Sequence, residues 1–321
     1  MMKDLTCCIA FRNEGDEVES TIKSIVSTAS DVHILVVDDC SDDGIDYKNM
    51  SCKYPNTEYH CMESRVGSVG TKDWAARNAS TEYVVLLDGH MRFYESGWDD
   101  RILGLLKKYP KSFIIPRTIF MSDAPDIYYD NDKQQYVVDH QQYMSKMHYY
   151  GAKIKFDGAY TLDTDWTDDI YNYNEVDNVS DVKCILGACY GVSKTWWNHI
   201  GGFDGLKVYG IEESFLSYKT YMCGGSCKVM HDIGVGHLYR EKNPHAIPQS
   251  DMDANRLSAA YILGIDISPI IVSLWQKNGL FEFGPTIHAY SNRFEDVKNY
   301  KEAFDNVKIC EQCEFIACNK N

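Results

Sequence analysis

The sequence predicts an α/β fold built on a largely parallel central sheet. Three observations carry that expectation. Short β-prone apolar runs alternate with helical patterns over residues 5–90. Three of those runs end in polar clusters, as strands do where an α/β sheet presents its ligand-binding rim. No Pro/Ser-rich linker and no internal repeat divides the 321 residues, a length that one large domain accommodates.

The first run, Leu5–Phe11 (LTCCIAF), is short and apolar and leads into Arg12-Asn13-Glu14. Val18, Ile22, Ile25 and Val26 then recur at helical spacing. His33–Val37 (HILVV) is a second strand and ends in Asp38-Asp39, and the turn formers of residues 40–46 follow. Glu58–Met62 is a third extended element, ahead of Arg65. Residues 68–80 read as a helix, and Tyr83–Leu87 as a strand that runs into Asp88-Gly89-His90. In a parallel sheet these three polar strand ends converge on one rim.

Residues 122–182 change in character: tyrosine and aspartate crowd the segment and the periodicity is poor. The segment reads as a variable insertion of hairpins and loops, either a surface excursion or an acceptor-binding wall, since aromatic rings stack on sugars and bases. Order returns at Val182–Val192, followed by a helix in SKTWWNHIGG. Glu212-Glu213 open another helix, DIGVGH is a short strand ending in His237, and a last helix is expected around residues 293–307. The expected division is a catalytic unit over 1–279, made of a nucleotide-binding half (1–121), the insertion (122–182) and an acceptor and metal half (183–279), with a C-terminal extension at 280–321.

Composition narrows the function classes. Hydrophobic residues make up 44% and charged residues 25%, as in soluble globular chains. The net charge of −15 disfavours a nucleic-acid partner. An acidic protein that handles phosphorylated ligands commonly uses a divalent metal as the bridging positive charge. The N-terminus lacks a signal-peptide pattern, and Ile267–Trp275 is too short to span a membrane and contains Pro269. A cytoplasmic protein with reduced thiols and no membrane partner is therefore expected for its 12 cysteines. The Cys310, Cys313, Cys318 cluster reads as free thiols, because one CxxC without a second pair is a weak zinc signal.

Asp88 and His90, two apart at a strand end, point the same way if the segment stays extended. An Asp oxygen with an imidazole suits Mn²⁺, Zn²⁺ or Fe²⁺ better than Mg²⁺. His237 is the candidate third ligand. Glu212 and Glu213 sit where a helix N-terminus favours carboxylates, and paired acids with split pKa values suit general-base work.

Five ordered blocks resemble the GT-A fold glycosyltransferases, and most closely the catalytic domain of the polypeptide N-acetylgalactosaminyltransferases together with related inverting enzymes. They are FRNEGDEVESTIKSI, ILVVDDCSDDG, RVGSVGTKDWAARNASTEYVVLLDGH, GGFDGLKVYGIEESFLSYKTYMCGG and VGHLYREKNPHAIP. The likeness covers most of residues 5–260. It implies a metal-dependent transferase moving a sugar from a UDP-sugar (UDP-GalNAc, UDP-GlcNAc or UDP-glucose) to a hydroxyl on a glycan, a protein or a modified nucleobase. It implies manganese or another divalent metal on Asp88, His90 and His237. The donor-binding set it implies is Phe11, Asn13, Glu14, Asp38, Asp39, Arg65, Gly67, Lys72 and Arg240, with Asp38 or Asp39 at the uridine and Arg240 on a loop over the pyrophosphate. Glu212 and Glu213 become the candidate catalytic residues.

The chain departs from the pattern at Gly89 (commonly Ser), Tyr209 (Trp), Ile211 (Gly), Glu213 (Asn), Lys219 (Arg) and His245 (Tyr). Glu213 favours inversion, because a carboxylate accepts the acceptor proton and an amide does not; the flanking blocks look closer to retaining enzymes. Neither a lectin-like domain nor a membrane anchor is expected. Two alternatives stand beside this reading. A nucleotidyltransferase would show a basic Gly-rich loop where RNEGDE stands. A non-catalytic sugar-nucleotide-binding protein would not need Asp88, His90, Glu212 and His237 intact.

Overall fold

The computed structural model describes residues 2–121, 128–130, 135–137, 147–239 and 246–310. Four parallel strands start the fold: β1 (Leu5–Phe11), β2 (His33–Asp38), β3 (Thr57–Cys61) and β4 (Tyr83–Asp88). The helices between them are α1 (Glu17–Thr28), α2 (Tyr47–Cys52) and α3 (Gly67–Asn78). Only the short α2 was not expected; its six residues YKNMSC carry little periodicity, and it is started by the Asp46 side chain accepting from the Asn49 amide.

Alternation along the strands explains the layering. Leu5, Cys7, Ile9 and Phe11 of β1 pack with Val85 and Leu87 of β4 against α1 and α4 (Trp98–Lys108). Cys8, Val84 and Leu86 face the opposite core, which is filled by α3 and by the later helices α5 (Lys194–Ile200) and α6 (Glu212–Met222). Both faces are covered, so β1 is buried along its whole length and has no room for a polar face.

The second half adds antiparallel strands to the same sheet. After β5 (Met91–Phe93) and β6 (Ser112–Phe120), the insertion shows only short elements. They are β7 (Tyr128–Asp130), β8 (Gln135–Val137), β9 (Met147–Tyr149), β10 (Gly151–Ile154), β11 (Thr164–Thr167), β12 (Tyr171–Asn174) and β13 (Val179–Val182). The strands β14 (Cys189–Ser193) and β15 (Ser226–His237) complete the list. The sheet runs β12-β13-β15-β6-β14-β4-β1-β2-β3, with β5 on β15 and β9 on β6. The result is one α/β domain with a mixed sheet, parallel through β1 to β4. The expected short strand DIGVGH is the end of the 12-residue β15, which pairs in parallel with β6 and shifts register between Val229 and Gly234.

At the C-terminal side, α7 (Gln249–Ile262), α8 (Ser268–Ser291) and α9 (Phe294–Asp305) close the domain. Gly279 interrupts α8 with φ 73 and ψ 171. Ile262 of α7, Leu263 just after it, and Val297 and Phe304 of α9 join the large core, so this end packs on the same body. Among the described residues no helix is long and apolar enough to cross a membrane.

Candidate metal and donor site

Because β1, β2 and β4 are parallel, their carboxyl ends reach one rim: Phe11 is in register with Asp38, and Ala10 with Asp88. A cavity of about 270 Å³ opens there, lined by Arg12, Glu14, Asp39, Asp88, His90 and His237 among others. The expected convergence of polar strand ends is therefore present in the fold.

Asp88, His90 and His237 each bring one ligand atom within 4.8 Å of the others. The reason differs from the strand-spacing argument. Asp88 is the last residue of β4, but Gly89-His90 form a turn, so the two side chains are not two steps along a strand. Thr21 of α1 fixes that turn, its hydroxyl donating to the Gly89 carbonyl at 2.8 Å and accepting from the Met91 amide at 3.0 Å. His237 arrives on the neighbouring ladder, where β15 pairs His237 with Met91 of β5. A Cβ on Gly89 would stand 2.8 Å from the Cβ of Phe11 and 2.9 Å from Cγ of Glu14. That close approach accounts for glycine at this position.

The donor set fits a divalent transition metal. His90 Nδ1 lies 3.0 Å from a Glu14 carboxylate oxygen. A proton shared there leaves the His90 Nε2 lone pair free, the carboxylate–histidine arrangement that orients metal-ligating imidazoles. That Nε2 faces the Nε2 of His237 at 3.0 Å, and His237 Nε2 is 3.5 Å from Asp88 Oδ2. Two imidazole nitrogens and one carboxylate oxygen converging on a point are a ligand set that suits Mn²⁺, Zn²⁺ or Fe²⁺.

Lys72, on α3, is 4% exposed and binds Asp88 Oδ1 at 2.6 Å. Burial alone would raise the Asp88 carboxyl, but Lys72 and the two histidines hold it well below the usual carboxylate range. Burial alone would lower Lys72, and Asp88 instead holds it well above the ordinary lysine value. Asp88 thus keeps its charge inside the protein, with one oxygen toward the ammonium and the other toward the histidines.

The remaining donor-site candidates divide. Phe11 and Glu14 line the cavity, Phe11 resting on Tyr47 with ring centroids 4.6 Å apart. Asp39 also lines it, and its carboxylate accepts from the amides of Val66 at 2.6 Å and Gly67 at 2.9 Å. Asp38 turns inward instead, accepting from Ser41 and from the Tyr59 hydroxyl at 2.8 Å. Asn13 clamps the loop after β2 through a two-way exchange with Asp42. Arg65 is exposed and donates to the Ala246 carbonyl at 2.9 Å. Arg240, His245, Cys313 and Cys318 lie outside the described residues.

Glu212 and Glu213 stand at the start of α6 as expected, Glu212 buried and Glu213 half-buried. Glu212 is 4% exposed and accepts from the Gly210 amide at 2.7 Å. Burial first, and then the neighbouring Glu213, push its carboxyl up to about 8, against the pull of Lys72. Burial likewise raises Glu213, with Lys72 opposing. The Glu213 carboxyl packs against the Cα of Gly187, next to Ala188, whose carbonyl accepts from the Asp88 amide at 3.1 Å. The acid pair and the metal-site carboxylate are therefore neighbours across β14.

Two tyrosines escaped sequence reasoning as site residues. Tyr209 and Tyr239 both line the cavity. Burial raises both hydroxyls, with Glu212 and Glu213 adding for Tyr209 and Asp88 and Glu213 for Tyr239. Tyr239 meets the His237 ring edge-on at 4.2 Å and joins Phe120 and Trp166 in an aromatic group, with centroids 4.5 Å and 5.3 Å away. Its position two residues beyond His237 was the available signal.

Fold and site together point to one class: the chain has the GT-A architecture and is similar to the GT-A glycosyltransferases. Residues 6–160 match the sequence profile of glycosyl transferase family 2. Polypeptide N-acetylgalactosaminyltransferase 5 of Rattus norvegicus is 24% identical over 230 residues, covering 68% of this chain and 22% of that protein. Polypeptide N-acetylgalactosaminyltransferase 3 of Mus musculus is 24% identical over 254 residues, covering 75% and 37%. The chain thus spans well under half the length of these relatives. Among solved structures, GalNAc-T7 with UDP, GalNAc and Mn²⁺ superposes with a TM-score of 0.65 at 15% identity, covering 91% of this chain and 54% of that one. Residues 1–349 of S. aureus TarS in complex with UDP-GlcNAc give 0.56 at 12% identity, covering 95% and 91%.

Proposed function

We propose that the chain is a divalent-metal-dependent glycosyltransferase that moves a sugar from a UDP-sugar to an acceptor hydroxyl. The observation that carries this reading is the convergence of Asp88, His90 and His237, with Glu14 behind His90, at the carboxyl rim of the parallel strands. A divalent ion there, manganese in the first instance, would supply positive charge to the donor pyrophosphate and its leaving group. Asp88, His90 and His237 would hold it, and Lys72 keeps Asp88 ionised. Phe11, Asp39 and the Arg65–Gly67 turn flank the place the nucleoside takes in this reading, with Asn13 and Asp38 shaping the loop around it. Arg240 is proposed, from the resemblance alone, to bind the pyrophosphate.

Glu213 is the proposed general base, taking the acceptor proton as the hydroxyl attacks the anomeric carbon. Its neighbour Glu212 holds its own proton near neutrality and anchors the turn. A carboxylate in this role goes with inversion. The aromatic group of Phe120, Trp166 and Tyr239 beside His237 supports an acceptor wall built partly from the insertion. A saccharide or protein hydroxyl suits it better than a nucleobase in a chain of net charge −15. UDP-GalNAc and UDP-GlcNAc are the first donors to try. The catalytic unit in this reading is residues 1–279, and the helix break at Gly279 supports an extension beginning there. A cytoplasmic address accompanies it, supported by the buried free thiols of Cys7, Cys8, Cys184 and Cys189.

The test is a donor screen with manganese, scored by released UDP, followed by NMR of the product's anomeric coupling. Manganese-stimulated release from one UDP-sugar supports the reading. No release from any UDP-sugar, with or without acceptors, overturns it.

A further inference from the structure

The short connection from Leu206 to Ile211 carries an unusual backbone. The Tyr209 amide donates to the Lys207 carbonyl at 2.8 Å across Val208, whose φ is 60. A three-residue turn closed in this way at positive φ is the rare and strained hand of the γ-turn, and a β-branched residue at its centre is an outlier. Gly210 follows at φ 107 and Ile211 at φ 63. Such a run persists only where its surroundings over-determine it.

Two contacts do so. On one side the Val69 amide donates to the Val208 carbonyl at 3.1 Å, and Gly67, at φ 76, has no space for a Cβ against the Val208 backbone. On the other side is Asn255 of α7, fully buried. Its Oδ1 accepts from the Lys207 amide at 2.9 Å, and its Nδ2 donates to the carbonyls of Lys207 at 2.6 Å and Tyr209 at 2.9 Å. The fourth bond comes from Arg293, 4% exposed, whose Nη1 donates to Oδ1 at 2.7 Å. All four hydrogen bonds an asparagine side chain can make are thereby used. The amide group reads both backbone groups of Lys207 as a neighbouring strand would, and Arg293 fixes which way round it sits.

What this turn carries is the site itself. Tyr209 lines the cavity, the Gly210 amide binds Glu212, and Glu213 follows. We infer that Asn255, oriented by Arg293, is a positioning residue: it holds the Lys207–Tyr209 turn in its strained form and so sets where Tyr209 and the Glu212-Glu213 pair stand beside the donor. The inference rests on Glu213 acting as the base. Asp88, His90 and His237 ride on other elements and do not depend on Asn255.

The experiment is a double-mutant cycle of Asn255→Ala and Val208→Gly in the full chain, with UDP-GalNAc or UDP-GlcNAc hydrolysis in manganese as the assay. Hydrogen exchange of residues 207–212 is read in parallel. Asn255→Ala is expected to lower kcat by about ten- to a hundred-fold, as misplacement of a catalytic group does, with the donor KM nearly unchanged. Exchange should rise within 207–212 alone. Val208→Gly should recover part of the lost kcat in the Asn255→Ala background, because glycine adopts the turn without strain. Unchanged kcat and exchange in Asn255→Ala overturn the inference. So does a joint loss of kcat, donor affinity and melting temperature that Val208→Gly does not rescue, which marks a purely structural residue. Glu213→Gln separates the two readings: full turnover there removes the base, while the exchange result still decides whether Asn255 holds the turn.

Discussion

Two lysines among the described residues are sealed inside the protein, and they lead opposite lives. Lys72 on α3 has the Asp88 carboxylate at 2.6 Å, and its proton is held well above the ordinary lysine range. Lys219 on α6 has the Gly202 carbonyl at 3.0 Å and the rings of Phe215 and Phe304 beneath its charge. Burial drives it down to about 8, with Asp204 resisting from a distance. One lysine belongs to a charge network at the rim of the cavity. The other fills a scaffold position where the related enzymes carry arginine, at a desolvation cost without a full partner. Burial of a cation is thus no mark of a site; burial with a carboxylate that itself faces a cavity is.

The contrast can be broken by substitution. The largest effect is expected from Asp88→Ala, which gives Lys72 the condition of Lys219 and removes a candidate metal ligand together. Manganese-stimulated UDP release should fall at least about a hundred-fold. Undiminished release would sink the metal assignment. Lys72→Met should cost less, about ten- to a hundred-fold, read as a higher manganese requirement, because it removes support for a ligand and not the ligand. A manganese titration that matches the parent would contradict the role given to Lys72.

Glu212→Gln probes the same network through pH. The Glu212 carboxyl titrates at about 8 in the fold against 4.5 in solvent, so the folded state retains a proton the unfolded state loses. Stability contributed by this group is present at low pH and declines as pH rises between those values. The melting temperature of the parent should fall from pH 5 to pH 8, and the variant should flatten that slope. An identical slope in both would show that Glu212 does not hold its proton. The smallest effect belongs to Lys219→Met. Removing a poorly paired buried charge should stabilise the fold by about 1–2 kcal/mol near pH 7. The gain should shrink as pH climbs from about 8 toward 10.5, where the parent lysine is neutral in the fold. A lower melting temperature at pH 7 would mean its contacts outweigh the desolvation.

Much of the fold from β1 to β4 was legible. β1, β2 and β4 are apolar runs buried on both faces, and runs of that kind stand out in the amino-acid sequence by composition alone. Their polar ends fall on one rim because parallel strands leave no alternative. Asp88, His90 and His237 were readable as residues, but the geometry joining them was not. The Gly89-His90 turn depends on Thr21, and the meeting with His237 on a ladder between β5 and β15. The insertion resisted because β10–β13 are four residues each, so alternation has too few steps to show. The Val208 turn left no local trace at all. Nothing in LKVYGI signals φ 60 at a valine, since Asn255 and Arg293, which enforce it, lie dozens of residues away.

The placement of β15 also bears on how the molecule is made. This strand enters between β6 and β13 and brings His237 to a histidine 147 residues earlier in the chain. During synthesis the parallel strands β1 to β4 can pair while the ribosome is still translating the insertion, because their contacts are comparatively near in sequence. The gap between β6 and β13 stays open until β15 emerges and threads into place. The slowest and most aggregation-exposed moment of folding is therefore the one that brings in the third candidate ligand, and a nascent chain stalled before residue 226 would display unpaired edges at β6 and β13.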